Sequence, residues 1–297
     1  MHVFVTGATG FIGTVVTEKL QAQGHKVTGL ARNDEAVQQL QSRHITPLQG
    51  SLQDKDILIQ AAREADGVIH LGFGQGQDAI ETDKQNIEAF LTGLKGSNKP
   101  FIYTSGSMVT GDTADQMTDE TAPLDMKSPA GWRGQHEGIT FTGVQQGVRA
   151  IVVRPASIVY GRGGGGVVTS QIKSAREQGV VRYIGNGNNR KTPVHVDDLA
   201  SLYLLALEKA NPGEVFIGAE EEIVTQKQVA EAAGRVAGID VKVVSWPYEE
   251  AMKTIGFFAY IQALNSVVSG AKARRVLGWQ PNGPTLMDEL DHGSYRS

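Results

Sequence analysis

Apolar runs of strand length alternate with amphipathic stretches of helix length from the first residues onward: Val3–Thr6, Gly13–Gln23, Val27–Ala31, Glu35–Ser42 and Thr46–Leu48. This βαβαβ order predicts a parallel sheet with crossover helices. The alternation continues with a strand at Gly67–Leu71, a helix around Thr82–Gly96, a strand at Pro100–Thr104 apolar enough for mid-sheet, a helix over Trp132–Gln146 and a strand at Ala150–Arg154. The glycine run Gly163–Gly166 then reads as a loop between two parts. Beyond it the order loosens. A short strand at Val194–Val196 leads into a helix over Asp197–Lys209, capped by Asp197 or Asp198; a strand at Glu214–Gly218 and a helix over Thr225–Gly238, with Thr225 as N-cap, follow. The pattern predicts an α/β protein built on a Rossmann doubly wound parallel sheet. Residues 1–160, with a returning segment at about 190–218, form the nucleotide-binding domain, and 161–297 mainly a smaller, interleaved substrate-binding part.

Composition narrows the ligand. The 297 residues are 40% hydrophobic and 20% charged, apolar enough for a full core and against disorder, with no apolar run long enough for a membrane span. The opening MHVFVTGATG runs straight into a strand and a turn without a basic, leader-like region, so a cytoplasmic protein is expected. The absence of cysteine excludes disulfides, thiolate nucleophiles and Cys-ligated zinc. A net charge of −4 with scattered basic residues offers no footprint for nucleic acid. A small-molecule ligand is expected, and nothing excludes a homo-oligomer.

The segment Thr6-Gly7-Ala8-Thr9-Gly10-Phe11-Ile12-Gly13 lies between the first strand and the first helix. There Gly7 makes a tight turn, Gly10 admits a pyrophosphate to the backbone, and Gly13 lets helix pack on strand. The helix N-terminus adds unpaired N–H groups and a favourable dipole. At the end of the second strand, where NAD enzymes carry an acidic residue for the ribose, Ala31 is followed by Arg32. A guanidinium there suits a 2′-phosphate, so NADP(H) is expected over NAD(H), although Asp34 keeps NAD binding open.

TGATGFIG, VIHLGFG at Val68–Gly74, YTSGS at Tyr103–Ser107, VVRPASIVYG at Val152–Gly161, PVHVDDLA at Pro193–Ala200 and LGWQP at Leu277–Pro281 come in an order that resembles the extended short-chain dehydrogenase/reductase superfamily, especially its NAD-dependent epimerase/dehydratase branch. The resemblance implies that Gly7, Gly10, Phe11, Ile12 and Gly13 cover the cofactor pyrophosphate. It places Ser51, standing where an acidic residue is common, and Leu52 beside the adenine. Leu71, Gly72 and Phe73 would line the cofactor, Thr104 and Ser105 would approach the nicotinamide, and Pro155, Ser157 and Ile158 would pack along its carboxamide side.

Relatives use a Tyr-x-x-x-Lys helix for proton transfer. Here the matching positions hold Arg133 and Glu137, a spacing that puts both on one helix face. Three readings stand open: a surface ion pair, an Arg133 that faces the nicotinamide and steadies a substrate oxygen, or His136 as proton donor from another face. The usual serine position becomes Gly106, leaving Ser105 or Ser107 as hydroxyl donor, with Ser105 preferred. His195 with Asp197 and Asp198 reads as a capped strand-to-helix turn in preference to a metal site. Arg162, Arg190 and Tyr183 fall in segments that border the substrate pocket in relatives, and Phe257–Ile261 reads as an apolar wall or lid. The chain is expected to be an NADP(H)-dependent oxidoreductase or epimerase/dehydratase-like enzyme acting on a small carbonyl or hydroxyl compound. The alternative is a non-catalytic NADP(H)-binding sensor.

Overall fold

Seven parallel strands form the central sheet of the computed structural model, which describes residues 1–238 and 241–296. The first half runs β1 (His2–Thr6), α1 (Phe11–Ala22), β2 (Lys26–Ala31), α2 (Asp34–Ser42), β3 (Thr46–Gln49), α3 (Lys55–Glu64), β4 (Gly67–His70), α4 (Ala79–Leu94), β5 (Pro100–Thr104), α5 (Gly131–Gln145) and β6 (Arg149–Pro155). The second half runs β7 (Ile158–Tyr160), α6 (Gly166–Gln178), β8 (Val180–Ile184), β9 (Arg190–Lys191), β10 (Pro193–His195), α7 (Val196–Lys209), β11 (Val215–Gly218), β12 (Val224–Thr225), α8 (Gln226–Ala237) and β13 (Lys242–Trp246). Four helices close the chain: α9 (Tyr248–Ile255), α10 (Phe257–Ala263), α11 (Ala271–Leu277) and α12 (Leu286–His292). Sheet order is β3-β2-β1-β4-β5-β6-β11, so the winding reverses between β1 and β4. Ligands of open α/β sheets bind at the carboxyl ends of strands beside such a reversal.

Strand alternation distributes the core over two faces. Val3 and Val5 of β1, Ile102 of β5 and Ile151 and Val153 of β6 pack with α1, α2 and α7. Phe4, Val68, Phe101, Tyr103 and Val152 turn the other way, onto α3, α4 and α5. Each such fully buried side chain contributes about 1.5–3 kcal/mol. Separate clusters hold the rest. Ile158, Tyr160, Val168 and Ile172 pack with α8 and α12, and Ile184 packs with α9 and α10.

Two local features differ from expectation. Helix α7 is capped by neither Asp197 nor Asp198. β10 runs into the helix without a linker, and the Nδ1 of His195 accepts from the Asp197 amide at 3.2 Å. Thr225 caps α8 as expected, in a reciprocal box with Gln228. The loop expected through Gly163–Gly166 ends in α6, whose Val168, Ile172 and Ala175 are buried. No helix among the described residues is long and apolar enough to cross a membrane.

Candidate functional site

The tight turn after β1 begins at Gly7, with φ of 69°, and a Cβ there would sit 2.8 Å from the Gly72 nitrogen. A Cβ on Gly13 would fall 2.0 Å from the Gly7 carbonyl oxygen. These two approaches pack the loop backbone closely against β4 and the start of α1. A cavity of about 660 Å³ opens from this loop; Gly7, Gly10, Phe11, Ile12 and Gly13 line one side, with Leu71, Thr104 and Ser157 at the ends of β4, β5 and β6. Its far side is carried by Met108, Val159, Val167, Ile255, Phe258 and Ile261, so the Phe257–Ile261 segment forms a wall of the cavity through α10.

A polar network lies beneath the strand ends on the α3–α5 face. Thr6 Oγ1 accepts the Gly72 amide at 3.0 Å and lies 2.6 Å from His70 Nδ1; His70 Nε2 is 3.2 Å from Asp83. Asp83 Oδ2 also receives the Tyr103 hydroxyl at 2.8 Å and lies 2.6 Å from His136 Nδ1. Burial alone would raise the Asp83 carboxyl. Hydrogen bonds from His136, then His70 and Tyr103, outweigh it and hold the group well below the usual carboxylate range. The network fixes the Leu71–Phe73 turn through Gly72 and locks His136 into the layer between α4 and α5, outside the cavity lining.

Arg133 and Glu137 share a helix face but do not pair. Glu137 is buried and takes both oxygens to Arg154 of β6, at 2.9 Å from Nε and 2.6 Å from Nη2. This corrects the surface-pair reading: a carboxylate facing the sheet needs a buried cation, and the strand supplies one. Arg133 stacks on Trp132, its guanidinium carbon 4.3 Å from the ring centroid, and lies 5.3 Å from that of Phe73. Its Nη1 donates to the Thr104 carbonyl at 3.2 Å, which brings the guanidinium to the edge of the cavity. Helix α5 contains neither tyrosine nor lysine.

The other expected residues fall as follows. Arg32 is exposed at the end of β2, and Asp34 sits in the first turn of α2. Ser51 bonds Asp54 through Oγ at 2.8 Å, and Leu52 packs partly against the α3–α4 core. Gly72 and Phe73 follow β4, with Phe73 stacked on Trp132. Thr104 Oγ1 is 2.8 Å from the Tyr203 hydroxyl. Ser105 Oγ is buried without a hydrogen-bond partner, as is Ser157 Oγ, whereas Ser107 Oγ is 3.2 Å from Ser266 Oγ. Pro155 ends β6 and Ile158 lies in the core beside Tyr160. Asp197 pairs with Arg162 and Asp198 accepts the Asn282 and Gly283 amides, so the two carboxylates serve different partners. Arg162 is further bound to Glu18, and Arg190 and Tyr183 lie outside the cavity lining.

Residue spacing did not reveal the partners of Asp83, Arg154 and Lys191. Their signal was polarity in apolar surroundings: a charge inside VVRP, a carboxylate on the inner face of α4. Lys191 is buried, and its Nζ donates to the carbonyls of Ile261 (2.7 Å) and Leu264 (2.8 Å), holding the end of α10. Burial pulls its ammonium down to about 7.

A sequence model of the NAD dependent epimerase/dehydratase family matches residues 3–218. An uncharacterized protein of Saccharomyces cerevisiae is 36% identical over 98% of this chain and 98% of its own length. A 4-hydroxy-2-methyl-3-oxo-4-farnesyl-3,4-dihydroquinoline-1-oxide ketoreductase of Stigmatella aurantiaca is 25% identical over 84% of this chain and 78% of its own. Among solved structures, UDP-glucose 4-epimerase of Thermotoga maritima with UDP-glucose superposes with a TM-score of 0.82 at 24% identity, covering 100% of this chain and 98% of that one. That likeness speaks for the fold.

Proposed function

The chain belongs to the NAD dependent epimerase/dehydratase family, and from that premise we propose that it is an NADP(H)-dependent oxidoreductase acting on a small carbonyl or hydroxyl compound. The observation that carries this reading is the cavity itself, which joins the glycine loop to Thr104 and the margin held by Arg133.

The residues present fit a nicotinamide dinucleotide. At Gly7 and Gly13 a Cβ would collide with neighbouring backbone, which holds the loop tight at the N-terminus of α1, and Ser105 and Ser157 hold buried hydroxyls without protein partners near the ends of β5 and β6. Arg32 favours a 2′-phosphate because β2 ends without a carboxylate. When bound, such a cofactor supplies a hydride to a carbonyl carbon or takes one from an alcohol.

Arg133 holds the substrate oxygen. Its guanidinium has five N–H donors, and one is used on Thr104, so others remain for an oxygen that gains negative charge. Arginine does not release a proton at neutral pH, so water supplies or removes the proton that tyrosine handles in relatives.

The test is loss of NADPH absorbance when aldehydes, ketones and quinones are offered. Oxidation with at least one of them is expected. Silence across the panel, with tight NADPH binding retained, would overturn the reading in favour of a cofactor-binding sensor.

A further inference from the structure

The cavity has two unlike sides. One is the glycine loop at the N-terminus of α1, suited to phosphate. The other is formed by Met108, Val159, Val167, Ile255, Phe258 and Ile261, and the polar side chains beside them, Ser170 and Gln262, are uncharged. Among the described residues that line the cavity there is no lysine, arginine, histidine, aspartate or glutamate.

Three cations of the second half are committed elsewhere. Arg162 forks onto Asp197 at 2.9 and 2.7 Å and also binds Glu18. Lys191 is tied to the carbonyls of Ile261 and Leu264. Arg182 lies over the Trp246 ring, 5.6 Å from its centroid. Arg133 approaches the cavity at the Thr104 end, and Arg190 lies outside its lining. A substrate diphosphate on the far side would lose its water without gaining a counter-charge, which disfavours binding. Phe258, by contrast, is 65% exposed at the cavity wall, a large aromatic surface that an apolar ligand would cover.

Resting on the function proposed above, we infer that the substrate is an uncharged carbonyl compound with an extended apolar tail. Its oxygen lies at the Thr104–Arg133 end and its tail runs along Val167, Ile255, Phe258 and Ile261. An uncharged lining of this kind disfavours nucleotide diphosphate sugars as substrates.

The test is calorimetric titration of the protein loaded with NADP⁺, with which a ketone cannot react. The probes are 2-heptanone, 2-nonanone, 2-undecanone and UDP-glucose. Affinity is expected to rise about three- to fourfold per added methylene. UDP-glucose should give no binding at the same concentrations. Phe258→Asp should weaken 2-undecanone about tenfold while leaving NADP⁺ affinity unchanged. A series flat with chain length, or UDP-glucose binding more tightly than 2-undecanone, would overturn the inference. Because binding is read without turnover, graded ketone affinity in a protein that never oxidises NADPH would uphold this ligand class and contradict the proposed reaction. Oxidation of small aldehydes alongside a flat series would do the reverse.

Discussion

Arg32 stands exposed where β2 ends, and the role proposed for it depends on a guanidinium fork that can grip a 2′-phosphate. Arg32→Asp replaces that fork with a carboxylate that repels phosphate and accepts ribose hydroxyls. The NADPH-to-NADH affinity ratio should fall about ten- to hundredfold in fluorescence titrations; an unchanged ratio would refute the role. Glu220 offers a pH test. Burial raises its carboxyl from 4.5 to about 7, against hydrogen bonds from the His195 amide and the Tyr160 hydroxyl. Between those values the folded chain keeps a proton that the unfolded chain has lost, so stability falls as pH rises through the window and levels off above about 7. Glu220→Gln removes this slope. In urea unfolding, the stability at pH 8 relative to that at pH 5 should rise in the variant by about 2 kcal/mol over wild type. Single residues were partly legible in the sequence. The glycine loop announced itself because its spacing serves one backbone geometry, but the partner of a charge such as Glu137 lies on another element, beyond the reach of local spacing.

Helix α5, which contains neither tyrosine nor lysine, shows how an element accommodates a buried charge. Glu137 faces inward, and its charge is matched by Arg154 from β6. Glu137→Leu strands the guanidinium and should cost about 3–5 kcal/mol in denaturant unfolding. Joining it with Arg154→Leu should recover most of that loss; a double variant as unstable as the sum of the singles would show that the pair is not coupled. Most elements of the first half were legible because apolar runs repeat over each strand between amphipathic helices, but the ten-residue α3 over Lys55–Glu64 was not read. The strand Pro100–Thr104 falls where expected, and the expected Trp132–Gln146 helix differs from α5 by one residue at each end. The second half was harder to read. α6 opens with glycine and two valines, a poor local signal for a helix, and folds as one because it packs on α8. β8 pairs with β13, some sixty residues downstream, and short helices such as α10 carry too few turns to set a period.

At the scale of the molecule, the cavity collects the carboxyl ends of β1, β4, β5 and β6 beneath α6, α9 and α10. Its floor could be expected from winding order, since parallel sheets bind ligands where the order reverses. Of its far wall only the Phe257–Ile261 segment could, because Met108 and Val167 join it only through tertiary packing of distant segments. The central claim is that a cofactor held by the glycine loop works with Arg133 in place of tyrosine. Steady-state NADPH oxidation by wild type and Arg133→Ala, alongside NADPH dissociation constants for both, tests it most directly. The account predicts a kcat lower by about a hundredfold or more in the variant, with NADPH affinity within about twofold of wild type. A variant that turns over at the wild-type rate would contradict it.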